Sequence, residues 1–374
     1  MNDLKKSQRL ESLDALRGFD MLFIMGGSGL LAALAICFPD IPFFEALKEQ
    51  MGHVSWHGLR HHDTIFPLFL FIAGISFPFS LEKQRLSHKS TTDIYLKIFR
   101  RGLMLVFLGL VYNGLLNFDF AHLRYCSVLS RIGIAWMCAA LIFVTIDKSL
   151  RRVAIVIALL VGYWLLIGFV KAPDAADGAD IFSKEGSLAC YIDRIVLGAH
   201  SYQAIYDPEG LLSNIPAIAT ALMGMLTGEW VKMKRAGLSE TKKVVVMLLA
   251  GVALILLGIL WGCVFPINKS LWTSSFVCAV GGYSLLLFAL FYYIIDVKGW
   301  KKWDIFFTVI GLNSITIYLA QRFIDFNYTA NRLFGGFIAL FPEQYHPLLG
   351  WSAYILVCWL FLYVLYRKKI FLKV

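Results

Sequence analysis

Charge is what this chain has least of. Only 16% of its 374 residues are Asp, Glu, Lys or Arg, against about 25% in soluble domains. Hydrophobic residues make up 59%, where roughly 45–50% is usual. That gap excludes a soluble enzyme of this size. Acidic residues are the scarcer kind, 25 against 35 Lys and Arg, for a formal net charge of +10. The basic residues sit in short clusters between apolar runs. No basic stripe with interleaved aromatics lies on a soluble segment, which argues against a nucleic-acid partner. The seven Cys form no CxxC pair and no metal-ligand spacing, so they read as small apolar filler and no metal is expected. Internal repeats, low-complexity tracts and alternating β-barrel patterning are also missing. Aromatics are plentiful, with 30 Phe, 16 Tyr and 10 Trp, and that excludes disorder.

What the chain does have is apolar runs of about 20 residues, the length of a membrane-spanning helix. They fall at about 15–37, 64–82, 102–117, 128–146, 153–170, 212–231, 244–264, 273–294, 304–320 and 347–366. The expected fold is all-α: one polytopic membrane domain over residues 1–374, with about ten transmembrane helices and both termini on the cytoplasmic side. With the N terminus inside, 24 of the 35 Lys and Arg, among them Lys5, Lys6, Arg9 and Lys373, fall on the inner side. Nine fall outside, and Arg17 and Arg131 lie within runs. That bias follows the positive-inside rule. The first run reads as a retained anchor, since charged residues precede it and no small-residue cleavage site follows. The short run Phe334 to Phe341 reads as re-entrant or interfacial. The one long outer loop, about 171–211, is acidic and would be periplasmic.

Ionisable groups within or against a span are expensive and point to function. Asp14 and Arg17 are three apart, so a helix places them on one face at the inner end of the first span. Asp20 lies deeper, ahead of Gly26-Gly27-Ser28-Gly29, where glycines permit close approach of a helix or ligand. Four of the eight histidines, His53, His57, His61 and His62, fall within ten residues on the outer side, leading into Asp63 and the second span. His61 and His62 are adjacent and do not easily face one cation. A general base or nucleophile at one histidine is therefore a better reading than a metal site, beside a plain interfacial role for His57, His61 and His62. Arg131 lies near the outer end of the fourth span, where it either snorkels or pairs with a carboxylate. Asp207 and Glu209 in Tyr206-Asp207-Pro208-Glu209-Gly210, Asn268 and Lys269 before Trp272, and Asn313-Ser314 converge on the same face. They suggest a site for a polar, carbohydrate-like ligand, with Trp56 and Trp272 as stacking surfaces.

Taken together these motifs resemble a known family, the transmembrane heparan-α-glucosaminide N-acetyltransferases and their bacterial relatives. The matching elements are Asp14-Ala-Leu-Arg17-Gly18, His53-Val-Ser55-Trp56-His57-Gly58, Asp63-Thr-Ile-Phe66-Pro67, Tyr191-Ile-Asp193-Arg194, Tyr206 to Gly210, Ile267 to Trp272, Leu312-Asn313-Ser314 and Tyr366 to Phe371. Their common order across nearly the whole chain is what makes the match specific. The resemblance implies transfer of the acetyl group from cytosolic acetyl-CoA to the amino group of a glucosamine-type sugar on the far side. It places the catalytic histidine at His53 and an assisting first-span position at Ser28, where the family has Asn. His57 and Ser130 also depart from the family's Asn and Gln. These changes leave the acceptor open to sugars other than heparan glucosamine. No counterpart of the family's large lumenal domain is present, so a bacterial inner-membrane member is expected, as a homodimer.

On this reading Asp14, Arg17, Lys97, Arg100 and Arg101 are candidate anchors for the anionic donor at the cytosolic mouth. His53 takes the proton of the acceptor amine, or itself carries the acetyl group. Asn313 or Asn268 would stabilise the oxyanion. Trp56, Asp63, Arg131, Asp207, Glu209, Asn268, Lys269 and Trp272 would line the acceptor site. Two alternatives stand beside it: an O-acyltransferase of cell-envelope glycans, which prefers a hydroxyl acceptor, and a sugar transporter, which predicts flux without acetyl-CoA.

Overall fold

The computed structural model describes residues 10–372; Lys5, Lys6, Arg9 and Lys373, counted above for orientation, lie outside them. All regular structure among the described residues is helical. In chain order the helices are α1 (Glu11–Cys37), α2 (Pro42–Gln50), α3 (His61–Leu86), α4 (Thr91–Tyr112), α5 (Val128–Thr145), α6 (Ser149–Phe169) and α7 (Leu188–Val196). Then come α8 (Asn214–Lys232), α9 (Glu240–Gly262), α10 (Ser274–Val297), α11 (Ile305–Leu312), α12 (Ser314–Phe323), α13 (Phe326–Ile338) and α14 (His346–Arg367).

Every apolar run of the sequence is helical. Among the described residues seven helices are long and apolar enough to cross a membrane, and up to eight if the pair α11 and α12, bent by 67°, counts as one span. The protein is a polytopic helical membrane protein. The two remaining runs are α4 and α8. Helix α4 carries Lys97, Arg100 and Arg101 in its first half. Helix α8 is enclosed by protein, with Ala217, Ala219, Ala221, Leu222 and Met225 fully buried. A helix surrounded by other helices has no lipid-facing surface to keep apolar. The short run near Phe334 falls on α13, whose 13 residues are too few to span.

Two close helix contacts set the frame. A Cβ on Gly18 would lie 1.8 Å from the carbonyl oxygen of Phe307, and one on Gly311 would lie 1.9 Å from that of Asp14. Helices α1 and α11 therefore touch backbone to backbone. Gly74 and Gly224 do the same for α3 and α8, each Cβ position falling within 2.3 Å of a facing carbonyl. Without a hydrophobic drive between helices in lipid, such small-residue contacts gain dispersion energy by close approach. Helix α1 contains a π turn at Phe23–Gly27, where Gly26 has φ 121. A side chain would be strained at that angle.

Helix α1 runs antiparallel to α3. Arg17 Nη2 donates to Ser76 Oγ at 3.4 Å, and Ser28 Oγ lies 3.1 Å from His62 Nδ1. These two contacts define two faces of the bundle, an Arg17 face and a His53 face.

Candidate active site

The His53 face is organised by the start of α3. Asp63 is the third residue of that helix, and its carboxylate reaches back over the helix end. Oδ2 accepts from the backbone N–H of Arg60 at 3.2 Å and of Val54 at 3.4 Å. This is the capping geometry that satisfies orphan helix donors. The other oxygen, Oδ1, accepts from His53 Nδ1 at 2.7 Å. The neutral tautomer that serves this shorter contact, to a carboxylate that can only accept, has its proton on Nδ1 and a lone pair on Nε2; Lys269 Nζ, 3.1 Å from the same nitrogen, then gives its protons to Asp63 Oδ1 at 3.5 Å. Asp63 is buried, whereas the His53 side chain is 55% exposed. A base oriented by a buried carboxylate with its far nitrogen accessible is the arrangement that proton abstraction needs.

Lys269 completes this end. Its Nζ lies 3.5 Å from Asp63 Oδ1 and 3.1 Å from His53 Nδ1. Burial pushes the Lys269 ammonium below the usual lysine range, and the carboxylates of Asp63 and Glu209 act against that shift. Behind it, Arg124 gathers the motif Asp207-Pro208-Glu209. Its Nε and Nη2 donate to Asp207 at 2.9 and 2.6 Å, and Nη2 also meets Glu209. Paired guanidinium contacts of this kind fix geometry as well as charge.

A cavity of about 430 Å³ runs through the bundle from this cluster. His53, His62, Glu209 and Lys269 line one end, and Arg17 and Arg101 line the other. Met21, Phe66, Phe69, Leu105 and Ile132 make the stretch between them apolar. Ser76, which holds Arg17, is thirteen residues along α3 from Asp63, which holds His53. At 1.5 Å per residue the two ends are about 20 Å apart. Arg101 stacks over the Trp136 ring at 4.2 Å, and its Nε is buried with no hydrogen-bond partner. A buried donor without a partner costs free energy unless a ligand meets it. The same holds for Asn313 Nδ2, which lines the cavity at the bend between α11 and α12.

No family model matches the chain. Over 432 aligned positions it is 28% identical to human heparan-alpha-glucosaminide N-acetyltransferase, an alignment that takes in 98% of this chain and 60% of that protein. The mouse protein of the same name is 28% identical over 384 positions, covering 86% of this chain. The resemblance read from the motifs holds along nearly the whole chain. The chain spans about 60% of the length of the curated relatives it matches, 60% of the human protein and 56% of the mouse one.

The structure brings some of the expected site residues together and leaves others apart. His53, Asp63, Lys269 and Glu209 meet at one mouth, and Arg17 and Arg101 at the other. Asp14 pairs with Arg17 at 3.5 Å, as their spacing predicts. Lys97 and Arg100 are exposed on α4 and do not line the cavity. Trp272 is not a stacking surface at the mouth. Its ring is fully buried, packed on Phe66 and Phe276, with Arg131 over its face. Asn268 is equally buried and organises its own loop, accepting from the Leu271 N–H at 2.9 Å. Asp207 is spent on Arg124 and on the backbone of its loop. Arg131 lies beneath the site and donates to the Gly210 carbonyl at 3.3 Å. Trp56 is partly exposed but does not line the cavity; its Nε1 donates to the Phe182 carbonyl and its ring is edge-on to Tyr206. Ser28 touches His62 rather than His53.

Sequence reasoning missed two contributors. Arg124 counts in the sequence only as one outer charge, because its carboxylate partners are 83 and 85 residues away. His62 was hidden by its neighbour. Adjacent helical residues point about 100° apart. His61 accordingly packs on Phe23 and Tyr283, and His62 turns to His53 with ring centroids 4.6 Å apart.

Proposed function

We propose that this chain is a membrane-embedded N-acetyltransferase, taking the acetyl group of acetyl-CoA at the Arg17 face and giving it to the amino group of a glucosamine-type sugar at the His53 face. The observation that carries this reading is the single cavity with guanidinium groups at one end and the His53–Asp63 pair at the other. Its chemistry fits the donor. Arg17 and Arg101 suit phosphates, the apolar middle suits a pantetheine arm, and the Asn313 amide offers that arm a free donor. Asn313 follows Gly311, which packs at the level of Gly18, so it lies toward the Arg17 end. Holding the arm suits that position better than stabilising an oxyanion beside His53. The names of the human and mouse relatives supply the reaction class.

In this scheme His53 Nε2 receives the proton of the attacking amine, while Asp63 keeps the ring in the tautomer that can do so. A positioned base contributes typically 10²–10⁴-fold. Glu209 and Trp56 flank the acceptor side. The test uses purified protein, labelled acetyl-CoA and a panel of amino sugars and their hydroxyl analogues. Label on an amine with His53 dependence supports the reading. Label only on hydroxyls replaces it with O-acyl transfer, and no transfer with no His53-dependent release of CoA removes it.

A further inference from the structure

We infer that His62 is a second catalytic imidazole of this cavity, donating a hydrogen bond from Nε2 to the thioester carbonyl oxygen as negative charge builds there. This inference rests on the acetyl-transfer reading and names a residue that the reading does not use.

The geometry carries it. His62 lines the same cavity as His53, and the two rings meet edge to face, 4.6 Å between centroids at 62°. The partners at their Nδ1 atoms differ in kind. His53 Nδ1 faces the Asp63 carboxylate at 2.7 Å, which can only accept. His62 Nδ1 faces the Ser28 hydroxyl at 3.1 Å. Among the described residues that ring nitrogen is the one hydrogen-bond partner of the Ser28 side chain, and no carboxylate hydrogen-bonds to His62. A hydroxyl can give its proton to an imidazole lone pair, which a carboxylate cannot, and in this proposal Ser28 does so. Nδ1 of His62 then accepts, and the ring proton lies on Nε2. The partner of one ring nitrogen fixes what the other can do. The two histidines are thus held in opposite tautomers, His53 with a bare Nε2 and His62 with an Nε2–H donor.

The chemistry needs one of each. The amine nitrogen forms a bond to the carbonyl carbon, and the C=O pair moves to oxygen. That oxygen takes a hydrogen bond from His62 Nε2–H, and His53 Nε2 takes the amine proton. The C–S bond then breaks with its pair on sulfur, the carbonyl re-forms, and His53 returns the proton to the thiolate. The products are an amide and a thiol, with no proton or electron left over. A neutral imidazole acting as electrophile beside a separate base is an established division of labour. Arg131 Nε and Nη1 are also buried without partners beneath this end, but Arg131 does not line the cavity, and Asn313 sits toward Arg17.

The π turn of α1 is part of the device. It precedes Ser28 directly and adds one residue to the helix, which rotates every later side chain relative to Arg17 and Met21. Arg17 and Met21 line the cavity ahead of the turn, Ile24 lines it within the turn, and Ser28 follows it.

The experiment has two arms on the full-length protein. In the first, His62→Ala lowers kcat by roughly 10²–10³-fold, the usual loss for one oxyanion donor, with KM for acetyl-CoA within about threefold. His62→Gln, which keeps an N–H donor, recovers at least about tenfold of that. A His62→Ala enzyme within about threefold of wild-type kcat overturns the inference. In the second arm, protein with ¹⁵N-labelled histidine is studied by NMR in nanodiscs. The His62 signal shows a protonated Nε2 and a bare Nδ1, and Ser28→Ala disturbs it. A protonated Nδ1 on His62 overturns the inference whether or not any acceptor is found. Wild-type protein that transfers to no amine overturns the acetyl-transfer reading instead, and the NMR arm still decides the tautomer.

Discussion

His53 is tied to Asp63 by a 2.7 Å hydrogen bond, and Asp63 is itself held by the backbone N–H groups of Arg60 and Val54. The carboxylate is buried and the imidazole is not. Asp63 thus caps the helix and holds the His53 ring, which in the proposed mechanism is base orientation. Asp63→Asn retains a side chain of the same shape but offers His53 an amide, which can donate as well as accept. The expected result is a loss of roughly 10²–10⁴ in kcat, with KM for acetyl-CoA little changed. Steady-state kinetics of the purified variant check it.

The two mouths of the cavity predict a split among the basic residues of α4. Arg101 lines the cavity with a buried, unpartnered Nε, whereas Lys97 and Arg100 are exposed and off it. Arg101→Met raises KM for acetyl-CoA roughly tenfold to a hundredfold, the worth of a charged hydrogen bond of about 1.5–3 kcal/mol. Lys97→Ala and Arg100→Ala stay within about twofold. Titration of acetyl-CoA against each variant separates these outcomes.

The segment between α6 and α8 carries a pH dependence. Asp193 is buried, with Oδ1 accepting from the Leu211 N–H, and burial raises its carboxyl to about 6. In an unfolded chain it would titrate near about 3.9. The folded state holds the proton more tightly, so the stabilisation is complete below about pH 4 and is lost as pH rises through 6. By pH 7 the ionised form costs at most roughly 3 kcal/mol. Asp193→Asn stays neutral, so its thermal midpoint relative to wild type climbs between pH 4 and 7. Midpoints that differ by a constant at all pH values contradict this.

Gly18 is a steric requirement. Its Cβ position falls 1.8 Å from the Phe307 carbonyl oxygen, a backbone atom that cannot swing away. Gly18→Ala separates α1 from α11 and costs on the order of 1–3 kcal/mol. It also displaces Arg17, one residue earlier, so thermal stability and acetyl-CoA affinity fall together.

Much of this was legible in the sequence because it is local or periodic. Seven of the ten apolar runs appear as unbroken helices long and apolar enough to span, since each carries its own length of hydrophobic surface, and an eighth is bent at Asn313. Asp14 and Arg17 pair because they are three residues apart on a helix. The cluster of histidines that leads into Asp63 was readable as a place for a base at one of them, and the resemblance pointed to His53, which the fold pairs with Asp63 ten residues on. The pairings that were not legible are long-range. Nothing near Arg124 announces Asp207 and Glu209, and nothing near Ser28 announces His62. Burial also escaped the sequence reading. Trp272 and Asn268 look like surface groups of an outer loop, yet Phe66, Phe276 and Arg131 close over that Trp, and Asn268 folds its amide into its own turn. The bend at Asn313 falls inside one apolar run, where hydropathy shows no break.

The central claim is transfer across the bundle from the Arg17 face to the His53 face. Proteoliposomes of one protein orientation test it, with labelled acetyl-CoA confined to the Arg17 side and glucosamine confined to the His53 side. The account predicts labelled N-acetylglucosamine on the His53 side, abolished by His53→Ala. Label that forms only when donor and acceptor share one side of the membrane would contradict it.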